Sequence, residues 1–91
     1  MREADIEKYA RERIAAAGGW MLKWTSPGQR GVPDDIVFWP GGQVDFIEFK
    51  APTGRLAPLQ QHVSDRLLAY RQSVWRLFNK FGVDSYVAAR T

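Results

Sequence analysis

Glycine and proline cut the middle of this chain into pieces too short for most folds. Gly18-Gly19, Pro27-Gly28, Gly31 with Pro33, Pro40-Gly41-Gly42, and Pro52 with Gly54 each mark a turn or loop. Between them lie residues 20–25, 35–39 and 43–49, runs of strand length rich in β-branched and aromatic side chains. Two longer runs flank them. Residues 3–17 lack Gly and Pro, and Ile6, Tyr9, Ala10, Ile14 and Ala17 keep helical spacing. Residues 58–81 begin with Pro58, suited to a first turn, and are followed by Gly82, suited to a helix end. In that run Leu59, Val63, Leu67, Tyr70, Val74, Leu77 and Phe81 recur every three or four positions. The pattern predicts a helix over 3–17, three strands of which the second and third form a hairpin, a long helix over 58–81, and a closing strand over 85–89. The order α-β-β-β-α-β reads as an α/β layer, a mixed β-sheet with flanking helices.

The 91 residues are expected to form one domain. So short a chain buries only about 60–65% of its unfolded surface, so it must pack well or find a partner. Leu68, Trp75 and Phe78 form a second apolar face on the predicted long helix, which reads either as extra core or, the preferred reading, as the seam of a homodimer. No stretch approaches the length of a membrane span, so an intracellular, cytoplasmic protein is expected.

Composition also limits the chemistry. There is no cysteine and one histidine, His62, which excludes disulfides, zinc-thiolate sites and multi-histidine sites. Any bound metal must be held by oxygen, as hard cations are. The net charge of +3 is only a mild pointer to nucleic acid.

Against that background, charges in apolar strands stand out. In Val44-Asp45-Phe46-Ile47-Glu48-Phe49-Lys50, alternation puts Glu48 and Lys50 on one face and Ile47 and Phe49 on the other. A carboxylate and an ammonium in a central strand must be paired, ligated, or both. Asp34 opens the neighbouring strand, at the end that an antiparallel hairpin places beside Glu48. Two carboxylates can hold a divalent cation that polarises a phosphoryl oxygen and acidifies water, and a lysine can orient that water or offset growing charge. Phosphodiester hydrolysis is the chemistry this set suits. On the first helix, Glu3 and Glu7 fall on or beside the apolar arc, whereas Asp5 and Glu12 point away.

Pro33-Asp34, thirteen intervening residues and Glu48-Phe49-Lys50 resemble the PD-(D/E)xK nuclease signature. With Glu3-Ala4-Asp5-Ile6-Glu7, the run from Gly28 to Asp34, Phe46 to Pro52, and Leu59-Gln60, the chain resembles the VRR-NUC branch of that superfamily. The resemblance implies a restriction-endonuclease-like core and Mg2+ or Mn2+ as cofactor. It implies Asp34 and Glu48 as metal ligands, Lys50 as the catalytic lysine, Glu7 as the carboxylate of the first helix with Glu3 as its rival, and Gln60 as the glutamine opening the next helix. It also implies a stand-alone homodimer similar to Holliday-junction resolvases, acting on branched or junction DNA. Asp35 departs from the pattern, standing where a basic or apolar residue is more usual.

Lys23 and Arg30 are candidates to contact substrate. Arg66, Arg76 and Lys80 share a stripe of the predicted long helix and read as a solvated face. Three alternative functions follow from the same residues: a non-catalytic DNA-binding module, a flap or general DNA nuclease, and a regulatory subunit. Intact Asp34, Glu48 and Lys50 argue against the first.

Overall fold

The computed structural model describes residues 1–91. Its elements are α1 (Glu3–Ala16), β1 (Trp20–Lys23), β2 (Asp35–Phe38), β3 (Val44–Phe49), α2 (Pro58–Ala69), β4 (Ser73–Leu77) and α3 (Lys80–Arg90). The strands form one mixed sheet in the order β1-β2-β3-β4. β1 and β2, and β2 and β3, pair antiparallel, and β3 and β4 pair parallel through the α2 crossover. No helix is long and apolar enough to cross a membrane.

The predicted order holds through six elements, but the C-terminal third is redrawn and a third helix follows. The long helix stops at Ala69, and Arg71 takes a left-handed φ of 61°. Residues 73–77 become the fourth strand, and 85–89, predicted as a strand, lie within α3. The cause is tertiary. Ser-Val-Trp-Arg-Leu is as good a strand as a helix continuation, and pairing with β3 satisfies the backbone groups that β3 would otherwise leave open. Asn79 then caps α3, its Oδ1 accepting from the Gly82 N–H at 2.7 Å. Gly82 thus sits in a first turn and ends nothing.

The predicted dimer seam dissolves with the long helix. Leu68 is exposed on α2, Phe78 lies between β4 and α3, and Trp75 turns to the opposite side of β4, edge-on to Tyr86 at 4.8 Å. Arg66, Arg76 and Lys80 are likewise scattered over α2, β4 and α3.

One sheet face is closed by α1 and α3. Met21, Val37, Ile47, Phe49 and Leu77 pack there against Ile6, Ala10 and Ile14 from α1 and Val83, Tyr86 and Val87 from α3. Asp45 shares that face and is fully buried. Arg90 grips it with two hydrogen bonds, 2.7 and 2.8 Å, while the Tyr86 hydroxyl and Trp39 Nε1 also donate to it. Burial opposes the Asp45 charge, but Arg90, Tyr86 and Ser73 outweigh burial and hold its pKa below the ordinary value. α2 lies on the other face, over β4.

Replacing Arg90 with Met should therefore cost about 3–5 kcal/mol near neutral pH, because it strands a buried carboxylate. The Asp45 pKa is depressed in the folded state, so its contribution is present above the unfolded value of 3.8 and is lost as pH falls through the lower folded value. Urea unfolding across pH should show the gap between wild type and Arg90→Met narrowing as pH falls, first as the stranded Asp45 of the variant takes up its proton and further below about pH 4, where wild type loses the ion pair.

Candidate active site

The site lies at the end of the β2–β3 hairpin away from the Pro40-Gly41-Gly42 turn. The backbone carbonyl of Asp34 accepts from the Trp24 N–H at 2.9 Å, which ties it to β1. Its side-chain Oδ2 accepts from the Phe49 N–H at 2.8 Å, which ties it to β3. Glu48 is 2% exposed and Lys50 lies beside it, Nζ 3.5 Å from Oε2. From α2, Gln60 Oε1 accepts from the Ala57 N–H at 2.9 Å, fixing the first turn, while Nε2 donates to Glu48 Oε2 at 3.2 Å.

Gly31 brings the β1–β2 loop onto this helix start. Its φ is 83°, and a Cβ there would meet the Leu59 carbonyl oxygen at 2.9 Å. Only glycine takes both the conformation and the contact without strain.

Asp34, Glu48, Lys50 and Gln60, predicted from sequence, are thus brought together. Burial and the negative charge of Asp34 push the Glu48 pKa up to about 7, with Lys50 offsetting part of the effect. Two crowded carboxylates with one lysine leave a deficit of positive charge, which suits a hard divalent cation. No three acidic or histidine side chains converge closely enough to hold a metal ion among themselves. Mg2+ fits such a site, since it is commonly bound by one or two carboxylates and completes its shell with water and substrate phosphate.

Glu7 is placed elsewhere. Neighbouring residues of a strand face opposite ways, so Asp34 turns toward Glu48 while Asp35 turns toward α1. There Asp35 is fully buried, and neither of its oxygens has a hydrogen-bond partner. Arg11 approaches Asp35 at 3.6 Å, and Lys23 reaches Glu7 at 3.0 Å. Burial and the adjacent Glu7 carboxylate push Asp35 up to about 8, so it carries a proton at neutral pH. The Asp35 carboxyl and Lys23 in turn hold Glu7 below its ordinary value. The chain therefore carries two acidic pairs at one end of the sheet, Asp34 with Glu48 and Asp35 with Glu7, on opposite faces. Glu3 and Arg30 are exposed and stand outside both pairs.

Sequence reasoning put Arg76 on a solvated helix stripe and missed its place beside Glu48. On β4 it is the register partner of Glu48, and its Nη2 donates to Gln61 Oε1 at 3.1 Å. The signal was the alternation of Ser73-Val74-Trp75-Arg76-Leu77, hidden by helical spacing that happened to run on through it.

No family model matches the chain. Over 74 residues it is 40% identical to "Putative nuclease p44" of Acyrthosiphon pisum secondary endosymbiont phage 1, covering 81% of this chain and 80% of that protein. A solved structure named "VRR_NUC domain" superposes with a TM-score of 0.90 at 29% identity, covering 98% of this chain and 97% of that one.

The raised Glu48 pKa has a measurable consequence. A folded value of about 7 against 4.5 means that metal-free protein loses stability as pH rises between those values. Glu48→Gln removes that slope. In chelator at about pH 8 the variant should be the more stable protein, by on the order of 2 kcal/mol. Adding Mg2+ or Mn2+ should raise the melting temperature of wild type and leave that of the variant unchanged.

Proposed function

Since the chain belongs to the VRR-NUC family of nucleases, we propose that it is a metal-dependent endonuclease that hydrolyses DNA phosphodiester bonds, acting on branched or junction DNA as a homodimer. The observation that carries the reading is the buried Glu48 held between Asp34, Lys50 and Gln60.

Each residue has work that follows from its position. Asp34 and Glu48 present oxygens to a divalent cation, Mg2+ or Mn2+, which when bound would withdraw charge from a phosphoryl oxygen and make water a better nucleophile. Asp34 is fixed by the Phe49 N–H and the backbone ladder, so its carboxylate is oriented before substrate arrives. Lys50, largely buried, keeps its ammonium at Glu48, where it can orient the attacking water and offset negative charge building on the scissile phosphate. Gln60 holds Glu48 in place and locks the start of α2 to the sheet. Glu7 and Lys23 flank the site from the α1 side, and Lys23 can reach a phosphate by leaving Glu7. Arg30, exposed on the β1–β2 loop, is the second candidate to contact the DNA backbone.

A homodimer would present two such sites in fixed relation, as a substrate with two strands to be cut requires. The direct assay uses a four-way junction, a flap, linear duplex and single strand, each with Mg2+ or Mn2+. Cleavage should need metal and fall by at least about 10²-fold in Lys50→Ala while DNA binding persists. Binding by wild type without cleavage in either metal would sink the catalytic reading in favour of a DNA-binding module. Equal cutting of linear duplex and junction would remove the branched-DNA preference and keep the nuclease.

A further inference from the structure

α2 lies over β4 and leaves the β1–β2 half of that sheet face bare, with Trp20 62% exposed and Leu22 and Phe38 38% exposed each. Between the bare half and α2 is a cavity of about 230 Å³. Its place relative to the carboxylates follows from the strand register. The β1–β2 ladder runs on to Trp24, whose N–H donates to the Asp34 carbonyl at 2.9 Å. The β2–β3 register, continued by one residue, sets Asp34 across from Glu48. Trp24, Asp34 and Glu48 therefore stand in one row across the sheet, on one face. Strands lie about 4.8 Å apart, so Trp24 and Glu48 are roughly 10 Å apart. The Trp24 ring packs on Phe46 at 5.3 Å and forms one wall of the cavity. Tyr70, which follows α2 and is 68% exposed, forms another, and Val63 and Leu67 supply an apolar floor. Gln29, His62 and Arg66 line the exposed side, and no carboxylate lines the cavity. Arg66 enters no ion pair.

We infer that this cavity holds one unpaired nucleobase of the strand being cut, stacked against Trp24 and Tyr70, with Arg66 on an adjoining phosphate. The inference rests on the nuclease reading above and names the feature of the substrate that this end of the molecule recognises. Size suits this occupant. A cavity of about 150 Å³ takes a benzene-sized ring, so 230 Å³ has room for a base. The lining suits it as well, since aromatic faces beside a cation are how proteins hold unpaired strands. Gln29 and His62 offer hydrogen-bonding groups to a base edge. Charge separates a nucleotide from the rivals. An apolar side chain from another protein would fill the floor and leave Arg66 covered without a counter-charge, at a cost. A nucleotide brings its own phosphate. Distance is the last argument. Phosphates of a stacked strand advance about 3.4 Å each, so roughly 10 Å sets the held base within about three nucleotides of a phosphate at Glu48. A base enters such a cavity only by leaving its stack, which costs least where it is mismatched or already single-stranded. Branch points supply such bases, so the cavity would give the preference for branched DNA a physical source.

The test measures binding by fluorescence anisotropy, in chelator, of a short oligothymidine and of an abasic strand of equal length. Wild type should bind oligothymidine about tenfold or more tightly than the abasic strand. Tyr70→Ala should lose most of that preference and still bind the abasic strand as wild type does. Tyr70→Phe, which keeps the ring, should retain the preference, and so should Trp20→Ala, which removes a ring from the bare half. Tyr70 and Trp20 are both largely in solvent, so these variants leave the core intact, with circular dichroism as the check. Arg66→Gln should weaken both strands alike and lower the salt slope by about 0.7. Equal binding of the two strands by wild type, or a preference untouched by Tyr70→Ala, overturns the base site. So does a Tyr70→Ala protein whose sedimentation changes while its DNA binding does not, because a second copy then fills the cavity. Cleavage with Mg2+ or Mn2+ is read separately. A base preference without cutting keeps the cavity and sinks the nuclease, and cutting without a base preference does the reverse.

Discussion

β3 carries a buried carboxylate on each of its faces, and the rest of the molecule is arranged around the unequal way those two charges are met. Asp45 faces α1 and α3, where Arg90, Tyr86 and Trp39 all donate to it. Its charge is fully compensated, which binds the C-terminal helix to the centre of the sheet. Glu48 faces the other way and receives one lysine and one glutamine, with Asp34 working against it. The first carboxylate is spent on structure. The second is left short of positive charge, and that shortage is the property a metal-binding site needs.

Asp34 and Asp35 repeat this division on β2. Asp34 joins Glu48, whereas Asp35 is driven under α1 with neither oxygen satisfied. Burial and the adjacent Glu7 carboxylate raise its pKa to about 8, so it favours keeping a proton that it can share with Glu7. The neutral Asp35 and charged Lys23 then hold Glu7 ionised beside them. The two neighbouring aspartates thereby part ways. Asp34 turns toward Glu48, and the unusual acidic residue after it turns toward α1, where it meets Glu7 and Lys23 at the same end of the sheet.

Where local pattern and tertiary need agreed, the sequence was legible. The first helix, the first three strands with the hairpin of the second and third, and the start of α2 all follow from Gly and Pro punctuation and from periodicity, and the Asp34–Glu48–Lys50 set follows from alternation along β3 and the hairpin that brings Asp34 beside it. Legibility failed after Ala69. Val74, Leu77 and Phe81 continue the helical spacing of Leu59, Val63, Leu67 and Tyr70, yet β3 needs a neighbour on its second edge, and Ser73–Leu77 supplies it. Nothing within 58–81 announces that need, because it arises from a strand some thirty residues earlier. The same error hid Arg76 beside Glu48 and placed Leu68, Trp75 and Phe78 on a stripe that does not exist.

The bare half of the sheet follows from the demands of the site. Gln60 must stand at the first turn of α2 to reach Glu48 while accepting from Ala57, and Gly31 lets the β1–β2 loop close on Leu59 at the same point. A helix pinned there returns along β4 to complete the parallel crossover. It cannot also lie across β1 and β2. Trp20, Leu22 and Phe38 are thus left exposed by the same contacts that position the carboxylates, so the geometry of the Asp34–Glu48 pair and the exposed apolar residues come from one placement of α2.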